Sequence, residues 1–74
     1  MHAPWQDRIT STPEILKGKP CIANTRIPVS LILGFLAAGS TVDNIIAEYP
    51  DLTADDIAAC LDYARALADF EVAV

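Results

Sequence analysis

From residue 29 onward the chain falls into three apolar-rich segments separated by turn signals. Val29 to Ala38 reads Val-Ser-Leu-Ile-Leu-Gly-Phe-Leu-Ala-Ala, apolar on nearly every side. A helix apolar all round is expected to be buried all round, so this segment is assigned as the central helix, with Gly34 allowing a close neighbour. Pro28 suits its first turn, where a missing N–H costs nothing. Gly39 is placed to end it in a left-handed cap. Thr41 then caps a second helix, about Val42 to Glu48, with Val42, Ile45 and Ile46 facing inward and Asp43 favourable against the helix dipole. Tyr49-Pro50-Asp51-Leu52 makes a turn. Thr53 opens a third helix that runs to about Glu71, and Thr53-Ala-Asp-Asp56 has the spacing of a capping box.

Before residue 29 the pattern is broken every few residues. Pro13, Gly18, Pro20 and Pro28 exclude a long helix. Ile9-Thr10, Cys21-Ile22 and Arg26-Ile27 are strand fragments. Ala23-Asn24-Thr25 lies between the last two, and Asn24 tolerates the left-handed backbone of a tight turn. A small hairpin is expected there. Residues 1–7 are expected to form a flexible arm, and residues 8–74 a single domain. The fold class is mainly α: a three-helix core of helix-turn-helix outline, preceded by a short β-hairpin element.

The third helix has three faces at 100° per residue. Ile57, Cys60, Leu61, Ala64, Leu67 and Ala68 form a main stripe expected to pack on the first helix. Asp55, Asp62, Arg65 and Asp69 form a charged face, within which Arg65 can pair at i±3 or i+4. Ala59, Tyr63, Ala66 and Phe70 remain. This third set is either a docking surface for another protein, since aromatic anchors are typical of interface cores, or it is covered by the hairpin or by the arm with Trp5.

The size of the chain makes that choice matter. Seventy-four residues with 53% apolar content bury a limited fraction of their surface, and such domains usually need disulfides, a metal or a partner. The cysteines, Cys21 and Cys60, are not spaced as C-x-x-C, and the one histidine is His2. Four convergent zinc ligands are not on offer, and no cofactor or metal is expected. No basic segment followed by an apolar one begins the chain, which points to a reducing cytoplasm and free thiols. No run reaches the length of a membrane span. Oligomerisation, as a homodimer, or binding of a partner protein is the expected source of extra stability.

Catalysis finds no support. Gly18-Lys19-Pro20 lacks the upstream Gly and the following Ser or Thr of a phosphate loop. Cys21 has no evident His or acid partner, and the carboxylates lie on solvated helix faces. The charge distribution is more informative. Net charge is −5, yet residues 1–40 carry four cations against two carboxylates, whereas residues 41–74 carry Arg65 against eight carboxylates. The third helix is therefore a poor reader of a polyanion. Arg8, Lys17, Lys19 and Arg26 are the candidates for contact with DNA or RNA phosphates. The competing reading, which is favoured, pairs them with the acidic half as exposed ion pairs.

One string is distinctive. Gly18-Lys19-Pro20-Cys21-Ile22-Ala23-Asn24-Thr25-Arg26-Ile27-Pro28-Val29, with Leu36-Ala37-Ala38-Gly39, Tyr49-Pro50-Asp51-Leu52-Thr53 and Asp56-Ile57, resembles domain-of-unknown-function family 433 from about residue 7 to residue 70. The resemblance implies a homeodomain-like helix-turn-helix after a short β element, in a bacterial family often described as antitoxins of PIN-like ribonuclease toxins. It supplies no catalytic residue. Asn24 stands where the family usually has Gly, and Asn is the next-best residue for positive φ. Gly18, Pro20 and Thr25 are read as turn-makers. Lys19 and Arg26 are the positions to test for function.

Two functions are carried forward. The first is an antitoxin that neutralises a PIN-like ribonuclease by protein–protein contact, with Asp55, Asp62 and Asp69 complementing a basic cleft. The second is a DNA-binding regulator, autoregulating its own operon through the basic N-terminal half. A structural dimerisation module is a weaker third.

Overall fold

The computed structural model of the chain describes residues 5–72, with side chains through Asp69. The order is a 3-10 turn at Trp5–Asp7, strand β1 (Ile9–Thr10), a 3-10 turn at Leu16–Gly18, strand β2 (Cys21–Ile22), and helices α1 (Val29–Ala37), α2 (Val42–Glu48) and α3 (Ala54–Val72). The molecule is mainly helical, with three helices and one small antiparallel sheet.

Each helix starts and stops where local chemistry dictates. The Asn44 N–H donates to the Thr41 hydroxyl at 3.1 Å. At α3 the capping box closes both ways: Asp56 N–H to the Thr53 hydroxyl at 3.2 Å, and Thr53 N–H to Asp56 Oδ2 at 3.0 Å. Two orphan donors are thereby satisfied. Gly39 has φ +98, with Gly39 N–H bonded to the Leu36 carbonyl at 3.0 Å and Ser40 N–H to that of Phe35 at 2.9 Å. This is the Schellman termination.

The β element differs from the expected hairpin. Cys21–Ile22 pairs with Ile9–Thr10, in the register Ile9↔Ile22 and Thr10↔Cys21. The stretch after the turn contributes only an Ile22 N–H bond to the Ile27 carbonyl at 3.0 Å and a bridge between Cys21 and Pro28. Pro28 has no N–H with which to extend that ladder. The turn itself is as read. Asn24 has φ +64, and the Thr25 hydroxyl donates to the Ile22 carbonyl at 2.7 Å while accepting the Ile27 N–H at 3.0 Å. Leu16 and Lys17 also take positive φ (50 and 57) beside Gly18 (84), in a turn closed by Gly18 N–H to Ile15 and Lys19 N–H to Leu16. Nothing in those two side chains announces this.

The core gathers Ile9, Ile22, Val29, Ile32, Ile45, Leu52, Ile57, Ala59 and Cys60 from both strands, all three helices and the turn before α3. Two expectations about α1 do not hold. Only Val29 and Ile32 are buried; Leu33, Phe35 and Leu36 are half-buried and Leu31 is exposed. Gly34 faces open space, with nothing within 4 Å of where a Cβ would sit. With α2 and α3 on one side only, α1 has too few neighbours to be covered all round.

The arm also differs. Residues 1–4 lie outside the described residues, but Trp5–Asp7 forms a turn against α3. The Trp5 ring meets Tyr63 edge-on, with centroids 4.9 Å apart and planes at 77°.

Candidate functional site

Helix lengths decide what is left on the surface. At 1.5 Å per residue, α3 is about 28 Å long, while α1 and α2 are about 13 and 10 Å. The shorter helices and the sheet can cover only part of the longer one. Among the described residues, the last buried one of α3 is Cys60. Beyond it, Leu61 is 49% exposed and Leu67 51% exposed, while Tyr63, Ala64 and Ala66 are half-buried.

The first half of α3 is pinned instead. Arg8, next to β1, donates through Nη1 to Asp56 Oδ1 at 2.9 Å, and its Nη2 lies 3.6 Å from Asp55 Oδ2. Asp56 thus serves the capping box with one oxygen and Arg8 with the other. Cys60, one turn further on, is buried, and its thiol is pushed up to about 11 by burial and by the nearby Asp56 charge. It is a neutral, packed thiol at physiological pH, not a nucleophile. Cys21 is buried as well, its Sγ 3.4 Å from the Lys19 carbonyl.

The four candidate cations do not form one patch. Arg8 is engaged with α3 and lines an open cleft of about 640 Å³ with Asp7, Asn24, Asp51 and Asp56. Arg26 lines a second cleft, of about 530 Å³, with Thr10, Thr12 and Ile15. Lys19 stands at the rim of an apolar groove. Lys17 lies on the left-handed turn before it. Lys17, Lys19 and Arg26 are exposed, and among the described residues none has an ion pair.

The candidate interface residues also divide. Ala59 is fully buried, so it belongs to the core and not to a docking surface. Tyr63 is half-buried under Trp5, so the arm covers that part of the set. Ala66 is half-buried, and the Phe70 side chain lies outside the described residues. The covered arc of α3 is therefore turned toward Ala59 and Tyr63, because β1 and the Trp5 turn pack on that side in addition to α1. Leu61 and Leu67, expected in the core stripe, are left outside. The position of Leu67 toward the end of a helix much longer than its neighbours was the signal that could have placed it there; Leu61, near the middle of α3, had no such signal.

Of the charged face, Asp55 is held near Arg8, as above. Arg65 donates through Nε to Asp62 Oδ1 at 2.9 Å and through Nη1 to Asp69 Oδ2 at 2.7 Å. All three candidate carboxylates thus have an arginine neighbour. Leu61 emerges beside this cluster, in a shallow depression shared with Ala58, Asp62 and Arg65.

The remaining apolar feature is a groove of about 420 Å³ between the start of α1 and the end of α3. It is lined by Lys19, Pro20, Val29, Ser30, Leu33, Tyr63 and Leu67. Among the described residues no cluster of His, Cys, Asp and Glu is arranged to hold a metal ion. No described helix is long and apolar enough to cross a membrane.

Residues 9–64, from β1 into the second half of α3, match the family described as "Protein of unknown function (DUF433)". The chain belongs to this family. It is 38% identical over 58 residues to the "Uncharacterized protein y4eO" of Sinorhizobium fredii (strain NBRC 101917 / NGR234), a span of 78% of this chain and 26% of that protein. The chain therefore corresponds to about a quarter of that relative. The crystal structure of a DUF433 member from Anabaena variabilis ATCC 29413 superposes with a TM-score of 0.76 at 35% identity, covering 93% of this chain and 71% of that one. The DUF433 match takes in the Arg8-anchored β element from Ile9, the Thr25 turn and the buried half of α3. Leu67 and Asp69 lie beyond it.

Proposed function

We propose that this DUF433 chain is a protein-binding module of the antitoxin type, with α2, the turn and α3 serving as a helix-turn-helix scaffold of homeodomain-like outline. Its partner is a PIN-like ribonuclease, and its docking surface is the outer face of α3. The observation that carries this reading is Leu61, 49% exposed and flanked by the Asp62–Arg65–Asp69 cluster. An apolar anchor ringed by charged groups is the usual anatomy of a binding hot spot. The arginines temper the idea of three bare carboxylates mimicking phosphate: a basic cleft would take Asp62 and Asp69 over from Arg65. The energy then comes from burying Leu61, and the charges supply orientation and association rate.

The test is a titration of the chain into a PIN-like ribonuclease encoded beside it, read by calorimetry and by RNA cleavage. Stoichiometric inhibition is expected. Leu61→Asp should abolish it, and the triple change Asp55→Asn, Asp62→Asn, Asp69→Asn should weaken binding about tenfold. Full binding by both variants would sink this reading.

A second reading, contact with DNA in a regulator or autoregulator, rests on Lys17, Lys19 and Arg26, which have no ion pair among the described residues. Lys19 and Arg26 line different depressions, which gives it less support than a continuous basic stripe would. It predicts binding to the chain's own promoter that falls steeply with salt.

A further inference from the structure

The groove between α1 and α3 poses a separate problem, independent of the toxin-binding surface. From Leu61 to Val72 the helix continues for three turns without a buried residue among those described. A helical stretch of that length is marginal in water on its own and is normally held by packing along one face. One side of this stretch walls the groove with Tyr63 and Leu67; the opposite wall is Pro20, Val29 and Leu33. The feature contains both a knob and a hole. Leu67 projects, 51% exposed, from the rim of a depression with room for a side chain of its own kind. Self-complementarity of that sort is what a two-fold interface requires, since residue i of one copy must meet residue j of the other, and the reverse.

Charge selects the same face. Copies of a chain with net charge −5 repel unless they meet where carboxylates are few and a cation opposes them. Asp55, Asp62 and Asp69 follow a seven-residue spacing, which puts them about 120–160° around the helix from Leu67. Asp56, which shares Leu67's side, lies about 16 Å away along the axis and is neutralised by Arg8; Glu71, four residues after Leu67 on the same side of the helix, is the carboxylate that a cation of the second copy has to oppose. Among the described residues, the one charged side chain lining the groove is Lys19, which is exposed and has no ion pair there. In an antiparallel crossing at Leu67, the C-terminal turn of each α3 runs toward Tyr63 of the other copy, and Lys19 lines the same groove as Tyr63. A cation beside a helix C-terminus is favourable.

We infer that this groove is the seat of a homodimer: the projecting half of α3 from a second copy lies in it antiparallel, each Leu67 packed against Leu33 and Tyr63 of the other copy, with each Lys19 beside the other's α3 C-terminal turn. The occupant is a second copy and not an unrelated chain, because the same patch supplies the leucine, the pocket for it, the cation and the helix end that attracts the cation.

Sedimentation equilibrium of the full chain, at tens to hundreds of micromolar, tests this. The wild-type chain should be dimeric. Leu67→Asp should be monomeric with an unchanged helical circular dichroism spectrum, while Leu61→Asp, at a leucine just as exposed on the outer face, should remain dimeric. Lys19→Glu should weaken the dimer about threefold at low salt. Leu67→Cys, oxidised, should run as a covalent dimer on a non-reducing gel, whereas the buried Cys21 and Cys60 of the wild type should not cross-link. That variant decides the matter if Leu67→Asp fails to fold. A monomeric wild type, a dimeric Leu67→Asp, or a dimer in which Leu67→Cys does not cross-link would overturn the inference. Loss of ribonuclease binding in Leu61→Asp, with the dimer intact, keeps the two proposals separable.

Discussion

The two halves of α3 are built from similar residues and meet opposite fates. From Ala54 to Cys60 the helix is capped by Thr53 and Asp56, pinned by Arg8, and buried at Ile57, Ala59 and Cys60. From Leu61 onward Arg65 pairs with Asp62 and Asp69 of its own helix, and Leu61 and Leu67 stand half-exposed. Both parts carry three alanines and both are helical throughout. What differs is whether another element lies alongside, so the first half is a structural part and the second is a surface available to partners.

That contrast can be broken most directly in the core. Ile57→Ala should cost about 3 kcal/mol in urea unfolding, as a buried isoleucine leaving a cavity. Leu67→Ala, measured in dilute solution where copies are apart, should cost below about 1 kcal/mol, as half its side chain is already in water. Equal costs would erase the distinction. A cost for Leu67→Ala that grows with protein concentration would sharpen it, since a partner that binds only the folded chain adds stability by mass action.

Next in size is the pin. Asp56→Ala removes the carboxylate half of the capping box and leaves Arg8 half-buried without its main counter-charge, an expected loss of about 2 kcal/mol. Asp56→Asn can still cap and should lose about half as much. Identical effects would mean that the Arg8 contact contributes nothing.

The pH response comes third. Because the Cys60 thiol is raised from 9.0 to about 11 in the fold, it stays protonated there while the unfolded chain ionises. Its contribution is fully present below pH 9 and is lost as pH rises toward 11. Thermal melts should show this decline, and Cys60→Ala should flatten it relative to wild type. Smallest of all, Arg65→Ala should leave the urea midpoint where it is, because its pairs are exposed and confined to the helix surface. A clear drop in stability would show that the second half of α3 is held more firmly than its exposure suggests.

Legibility followed sequence distance. The Thr41 and Thr53–Asp56 caps, the Gly39 termination, and the Asn24 and Thr25 turn all close within a few residues. Each could be read from the chain because its partners are fixed by local geometry. The pairing of β2 with β1 rather than with the stretch after the turn, and the Arg8–Asp56 contact across 48 positions, depend on how the elements assemble. The charge imbalance suggested that N-terminal cations would meet the acidic half, and Arg8 does; Lys19 lines the groove instead. The Leu16 and Lys17 backbone had no signal at all, since neither residue favours positive φ.

For the candidate surfaces the division is the same. The amino-acid sequence by itself determined where three helices begin and end, which residues share a helical face, and that the chain is basic at one end and acidic at the other. Only the tertiary structure decided that Trp5 covers Tyr63, that Ala59 goes inside, and that Leu61 and Leu67 stay out. Helical periodicity groups residues onto a face, but whether water or protein lies against that face depends on the length and placement of its neighbours.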